Sequence, residues 1–245
     1  MVLLRRLELW SWYLTQISDP RLQADALQAL FIHNDQRHFS ATRLLDILHE
    51  FPITTLCAPP TAYRQLVLEE NQRYFAEHKP KALSHCTGAG EPLNDEVIRL
   101  WSSMSGLDIS DGYGQTETIL ICGNFAGTPI RPGSMGKPSP GVPLAVVDAQ
   151  GREAEVGQEG DIGVLINTST RQNNDFFGLF DGYLAKDGNV ERRIRSFGGK
   201  GGKPASSWYL TGDRATRDSD GYFWFVGRAD DVINSAGYRI GICAS

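Results

Sequence analysis

The chain has 245 residues, a net charge of -5, 41% hydrophobic and 22% charged side chains, an ordinary globular balance that allows one large or two modest domains with a real core. No sizeable basic block appears, so a nucleic-acid footprint is unsupported. The apolar runs at the start are broken by Arg5, Arg6 and Glu8, which fits neither a membrane span nor an ordinary secretory signal.

Residues 1–39 carry helical stretches without a strong motif and read as a poorly defined, mainly helical segment. From Ser40 the pattern clears. SATRLLDILHEF places Leu44, Leu45, Ile47 and Leu48 at helical spacing, with Ser40 or Thr42 as the cap. ITTLCAPP reads as a buried strand ending at Pro59 and Pro60, TAYRQLVLEE as a helix, and LSHCTGAG as a second strand. EPLNDEVIRLWSSMSG reads as a helix with Pro92 in its first turn, and LDISDGYG as a third strand. Strands alternating with helices predict an α/β fold: βαβ units on a partial parallel sheet with flanking helices, over residues 40–127. Ligands bind beyond the carboxyl ends of such strands. GAGEP and DGYGQTE fall there, so both loops are expected to open onto one crevice.

After about Thr128 the texture changes. TPIRPGSMGKPSPGVPL is rich in Gly and Pro, and LAVVDAQGREAEVGQEGDIGVLIN alternates short β-like runs with turns. Residues 128–226 therefore read as a small β-barrel or sandwich module. FGGKGGKPASS, Phe197 to Ser207, has the composition of a phosphate loop but not the G-x-x-x-x-G-K-[ST] spacing, and reads as an insertion between strands. Cys57, Cys86, Cys122 and Cys243 are scattered without a C-x-x-C pair, and the histidines form no ligand-spaced cluster. Zinc and a disulfide framework are disfavoured, and a reducing compartment is expected.

Four segments carry candidate chemistry. DGYGQTET, Asp111 to Thr118, supports two readings. One is a tight loop in which Thr116 caps a following helix. The other is a nucleotide site: Tyr113 offers a flat face to a base, Gly112 and Gly114 let backbone approach a phosphate, Thr116 hydrogen-bonds an oxyanion and Glu117 holds a hard cation. GAGEPL, Gly88 to Leu93, is explained equally by a plain turn into a helix, and YLTGDR by a Gly-Asp turn. GRADDVINSAGYRIG, Gly227 to Gly241, packs two arginines and two adjacent acids between glycines, which a solvated loop could also carry.

In their chain order, GAGEPL, DGYGQTET, YLTGDR and GRADDVINSAGYRIG, the four segments resemble the adenylate-forming acyl-CoA synthetases, most closely the medium-chain ones. FPITTLCAPPTAYRQLV and DSDGYFWFVGRADD agree, and the resemblance covers roughly residues 29–241. Luciferases share the plan, as do peptide-synthetase adenylation domains, which serve a carrier protein. The wording DDVINSAGYRIG points to the CoA-ligating branch. The resemblance implies the substrates ATP, CoA and a carboxylic acid, with Mg2+ as the metal. It implies that Gly90, Glu91 and Pro92 border the adenine together with Asp111, Gly112, Tyr113, Gly114 and Gln115, Tyr113 stacking on the base. Thr116 would contact the α-phosphate and the acyl carboxylate, Glu117 would ligate magnesium, and Asp213 would accept from the ribose hydroxyls. Arg228 would reach the ribose or phosphate, so that Thr116, Glu117 and Arg228 form the catalytic set. Ala236, Gly237, Tyr238 and Arg239 would border CoA, and Asp230 matches the family's hinge. The acyl pocket would lie near residues 86–90 and 116–121.

The resemblance also implies departures. The family's Ser/Thr/Gly-rich phosphate loop, ending in Pro-Lys, belongs upstream of everything seen here, and its swinging C-terminal domain, with a catalytic lysine, belongs after residues 227–245. A central fragment is therefore expected. Losing one pre-aligned charge costs roughly two to three orders of magnitude in rate, so this chain alone is expected to adenylate acids negligibly and to leave sheet edges and apolar surface open. A non-catalytic nucleotide- or acyl-adenylate-binding remnant, paired with a full-length homologue, stays open as an alternative. Acyl specificity and oligomeric state are not encoded legibly. Animal relatives imply a mitochondrial location, a cytoplasmic one stays open, and no clear targeting segment is seen.

Overall fold

Alternation of apolar runs and turn residues has direct consequences in the computed structural model, which describes residues 39–125, 127–166, 178–198 and 206–229, together with the backbone of 232–235 and 238–241. The chain divides into two units: Met1–Gly112 with Ala126–Gly133, and Tyr113–Phe125 with Ser134–Ser245.

In the first unit, α1 (Ala41–Glu50) starts at Ser40, whose hydroxyl accepts from the Arg43 amide at 3.3 Å. This satisfies one of the free donors at the helix start. β1 (Thr55–Ala58) ends before Pro59, and Pro60 opens α2 (Pro60–Leu66), where a proline forfeits no helical hydrogen bond. The single helix expected over 61–70 is two. Leu68 is extended and α3 (Glu69–Glu77) begins after it. The side-chain amides of Asn71 and Gln72 donate to the carbonyls of Gln65 and Val67, each at 2.7 Å, and so satisfy backbone acceptors freed at the break.

β2 (His85–Ala89) leads to α4 (Asp95–Ser105). Pro92 precedes this helix instead of lying in its first turn, because Asn94 provides the cap: its Oδ1 accepts from the Glu96 amide at 2.8 Å. Gly106 ends α4 in the left-handed region at φ 75°. β3 (Ile109–Gln115) follows. β1 and β2 are parallel in the register Leu56↔Cys86, and β2 and β3 are parallel in the register Gly88↔Asp111. The parallel α/β sheet expected from the sequence is therefore present. Trp101, Tyr63, Leu45, Leu48, Leu66 and Ile109 are fully buried against it, each such side chain contributing roughly 1.5–3 kcal/mol by leaving water. The Tyr63 hydroxyl reaches the carbonyls of Leu56 and Thr87 at 3.3 and 3.1 Å, tying α2 to β1 and β2.

The second unit begins within β3. After the turn at Thr116–Thr118 the chain enters β4 (Ile119–Gly123), which pairs antiparallel with β5 (Lys137–Pro138). No helix follows DGYGQTE, so Thr116 is not a helix cap. β6 (Leu144–Val147), β7 (Gly160–Leu165), β8 (Tyr183–Leu184), β9 (Val190–Glu191), β10 (Ile194–Phe197), β11 (Ser206–Arg217) and β12 (Phe223–Arg228) follow in order. One sheet runs β10-β11-β7-β6 with β12 also on β11, all antiparallel, and β8 and β9 form a separate hairpin. A barrel-like module is the sequence expectation; among the described residues this sheet is open. β13 (Val232–Ser235) and β14 (Tyr238–Gly241) form a two-stranded antiparallel ladder. The core of this unit holds Ile121, Val146, Ile162, Val164, Ala215 and Phe223.

Along β11, Tyr209, Thr211, Asp213 and Ala215 are buried with the period of two that a strand imposes. The register against β7 skips from Leu210 to Arg214 around Gly212, at φ 79°. This irregularity interrupts the ladder with β7 beside Asp213, while the pairing of Asp213 with Arg228 on β12 continues.

Candidate functional site

A buried carboxylate is costly unless donors surround it. Asp213 is 5% exposed and has three. Its Oδ2 accepts from the Tyr113 hydroxyl at 2.5 Å and from Gln115 Nε2 at 3.0 Å, and its Oδ1 accepts from the Arg228 guanidinium at 2.9 Å. Gln115 Nε2 also donates to the Thr211 carbonyl at 2.8 Å, while its Oε1 accepts from the Tyr209 hydroxyl at 3.2 Å. Burial, and then the negative charge of Asp213, hold the Tyr113 phenol well above its ordinary range, so it stays a donor. Burial, and then Glu117, do the same to Tyr209. Tyr113, Gln115, Asp213 and Arg228, taken from three separate motifs, thus meet in one network inside the second unit.

The turn after β3 is fixed by its own backbone. The Gln115 amide donates to Thr118 Oγ1 at 3.0 Å and the Thr118 amide to the Gln115 carbonyl at 3.1 Å, with Thr118 fully buried. Ile119 sits at φ 57°, a conformation a β-branched residue adopts only under constraint. Its carbonyl oxygen would stand 1.7 Å from a Cβ on Gly114, so that position admits only glycine. Thr116 is exposed at the tip of the turn and Glu117 is half-buried. The Glu117 carbonyl accepts from the Phe180 amide at 2.8 Å, and its Oε1 accepts from the Tyr183 hydroxyl at 2.7 Å.

Gly90, Glu91, Pro92, Asp111 and Gly112 belong to the first unit. Gly90 follows β2 at φ 98°, which explains a glycine there. The Glu91 side chain is buried, with Oε2 3.0 Å from Arg64 and Oε1 3.5 Å from the Thr61 hydroxyl, and Arg64 also donates to the Pro92 carbonyl at 3.0 Å. Burial pushes the Asp111 carboxyl up to about 7, against the Gly112 amide that donates to it at 3.0 Å. Tyr238 and Arg239 lie in β14, opposite Ser235 and Asn234. Asp230, Ala236, Gly237 and Cys243 lie outside the described residues, as do residues 199–205 of the Gly/Lys-rich stretch and nearly all of segment 1–39.

Sequence reasoning missed Arg64, Thr61, Tyr209, Thr211 and Tyr183. Tyr209 and Thr211 had a signal, since they share the strand parity of Asp213. Tyr183 had none, lying in a two-residue strand within a polar stretch. Among the described residues no cluster of three or more His, Cys, Asp or Glu side chains could hold a metal alone. The Glu117 carboxylate keeps Oε2 without a protein donor among them. A single carboxylate suits Mg2+, which completes its octahedron with phosphate oxygens and water.

Residues 26–168 match the AMP-binding enzyme family, and the chain belongs to it. Within that class it is similar to acyl-coenzyme A synthetases. It is 47% identical over 212 residues to the mitochondrial acyl-coenzyme A synthetase ACSM3 of Homo sapiens and 46% identical over 212 residues to the mitochondrial ACSM5 of Rattus norvegicus. Each match covers 86% of this chain and 33% of the relative. The crystal structure of the acyl-CoA synthetase of Brucella canis superposes with a TM-score of 0.64 at 36% identity, over 83% of this chain and 34% of that one. The anthranilate CoA ligase AuaEII, in complex with anthranoyl-AMP, gives 0.60 at 28% identity, over 82% and 34%. The chain thus spans about a third of the length of the relatives it matches, 33% for ACSM3. Their N-terminal domain fold, a parallel sheet with flanking helices, is the fold described above.

Proposed function

We propose that this chain carries the adenylate-binding centre of an AMP-forming acid–thiol ligase, an acyl-CoA synthetase that activates a medium-chain fatty or related carboxylic acid. The observation that carries this reading is the convergence of Tyr113, Gln115 and Arg228 on the one buried carboxylate of Asp213, from motifs as far apart as β3 and β12. In the reaction, a carboxylate oxygen of the acid attacks the α-phosphorus of ATP and the bond to pyrophosphate breaks. The thiol of CoA then loses its proton and attacks the acyl carbon, and AMP leaves.

The protein's part in such chemistry is positioning and charge neutralisation. Asp213 takes the ribose hydroxyls, and Tyr113, held beside it, stacks on the adenine. A carboxylate offers about four acceptor positions, and three donors already occupy Asp213. One position is left for a ribose hydroxyl, and a second hydroxyl displaces a neutral donor, Tyr113 or Gln115, while the charged Arg228 contact is kept. Arg228 balances charge at the ribose or phosphate, and Thr116 donates to an α-phosphate oxygen. Glu117 would hold Mg2+, which when bound neutralises charge on the triphosphate. The family likeness assigns Gly90, Glu91, Pro92, Asp111, Gly112 and Gly114 to the adenine, Tyr238 and Arg239 with Ala236 and Gly237 to CoA, and Asp230 to a hinge; those assignments rest on the motifs. The mitochondrial location of the named relatives supports the same compartment here.

The test is acid-dependent exchange of labelled pyrophosphate into ATP, with Mg2+ and a panel of carboxylic acids, by this chain and by a version extended at both ends with the flanking sequence of a full-length relative. The extended version is expected to exchange with medium-chain acids and to form thioester with CoA. An extended, folded protein silent with every acid would contradict the proposal.

A further inference from the structure

Glu117 is gripped twice by one short segment that no motif singles out. The Phe180 amide donates to its backbone carbonyl at 2.8 Å, and the Tyr183 hydroxyl donates to its Oε1 at 2.7 Å. Tyr183 is itself held. Its strand β8 pairs with β9 in the register Tyr183↔Glu191, the Phe180 ring meets it edge-on at 4.8 Å, and the Arg193 guanidinium lies over its face at 4.7 Å. Phe180 also packs edge-on against Tyr209 at 5.8 Å, which anchors the segment to β11. A tyrosine fixed on both its edge and its face is a stiff donor.

We propose that Tyr183 is a positioning residue for Glu117, holding its carboxylate in one rotamer with Oε1 engaged and Oε2 left for a divalent cation. This rests on the reading of Glu117 as the magnesium carboxylate. A glutamate side chain free in solvent samples several rotamers. A site whose ligand is locked by a second layer of hydrogen bonds avoids ordering it at the moment of binding. The Tyr183 hydroxyl supplies that lock, and Arg193 keeps the ring in place from the solvent side.

Tyr183→Phe separates positioning from packing, because it keeps the ring and its contacts with Phe180 and Arg193 and removes the hydroxyl alone. Without nucleotide, NMR side-chain couplings of Glu117 are expected to report one rotamer in the unmodified chain and averaging in Y183F; unchanged couplings overturn the proposal. Titration of Mn2+ with ATP then forms a double-mutant cycle with Glu117→Gln. Y183F is expected to weaken metal-dependent ATP binding about five- to tenfold, to leave metal-free ATP binding unchanged, and to add less than about twofold on top of E117Q. An equal effect of Y183F in both backgrounds would make Tyr183 structural and overturn its role. If the unmodified chain binds no Mn2+–ATP, the functional reading of Glu117 fails, while the rotamer measurement still decides whether Tyr183 orders it.

Discussion

Replacing Arg228 by Ala removes the only cation among the three donors to Asp213, and the structure sets the size of the effect. The pair stands at 2.9 Å with side chains 18% and 7% exposed, so it is close to the buried limit. Breaking a buried pair by deleting one partner costs about 3–5 kcal/mol. Asp213 keeps two neutral donors, Tyr113 at 2.5 Å and Gln115 at 3.0 Å, and water can enter the space the guanidinium leaves, which lowers the expected loss to about 2–3 kcal/mol. For a chain of this size that is a fall in Tm of roughly 5–10 °C. Urea unfolding of R228A, D213N and the double variant gives the coupling directly. Neutralising Asp213 removes the charge that Arg228 balances, so R228A should cost at least about 1 kcal/mol less in the D213N background. Additivity within about 0.5 kcal/mol, or a loss of under about 1 kcal/mol in R228A alone, would refute the view that this pair organises the network.

Gly114→Ala and Gly88→Ala should part company. A Cβ at Gly114 would stand 1.7 Å from the Ile119 carbonyl, whereas one at Gly88 meets ordinary contacts from 3.4 Å outward. G114A is expected to lose more than about 3 kcal/mol or to fail to fold, and G88A to lose under about 1.5 kcal/mol; similar thermal melts for the two would contradict the close approach. Asp111 gives a pH signature. Its carboxyl is pushed from 3.8 to about 7 by burial, so between those values the native state keeps a proton that the unfolded chain has released. Stability contributed by this group therefore falls as pH rises through that window, by up to about 4 kcal/mol. Asp111→Asn should gain on the unmodified chain by at least about 1 kcal/mol more at pH 8 than at pH 5, and equal differences at both pH values in urea unfolding would count against it. Tyr113→Ala should weaken ATP binding roughly five- to a hundredfold through lost stacking. Tyr113→Phe should leave ATP binding within about twofold, measured by calorimetry; equal losses in both would remove stacking as the role of the ring.

The parallel α/β half was legible because its signals are local. Ser40 caps α1, Pro60 opens α2, Gly106 closes α4, and the apolar spacing between them has the helical period. Two details escaped. The break at Leu68 depends on the Asn71 and Gln72 side chains reaching back to carbonyls, and the start of α4 depends on Asn94 out-competing Pro92 as the boundary. The site motifs were legible as residue types but not as a network. That Asp213 meets Tyr113 is a long-range pairing between β11 and β3, which no local period encodes. Nor does the sequence announce that β11 loses its register at Gly212, or that Tyr183, in a stretch of turns, reaches Glu117. The sheet of the second unit read as barrel-like because short strands and Gly/Pro turns signal many antiparallel pairs without signalling closure.

The most direct test of the central claim is calorimetric titration of this chain with a non-hydrolysable medium-chain acyl-sulfamoyl adenosine, which mimics the acyl-adenylate. The proposal requires one-to-one binding by the unmodified chain that weakens at least tenfold in Asp213→Ala. No binding by a chain shown to be folded, or binding indifferent to Asp213, would contradict it.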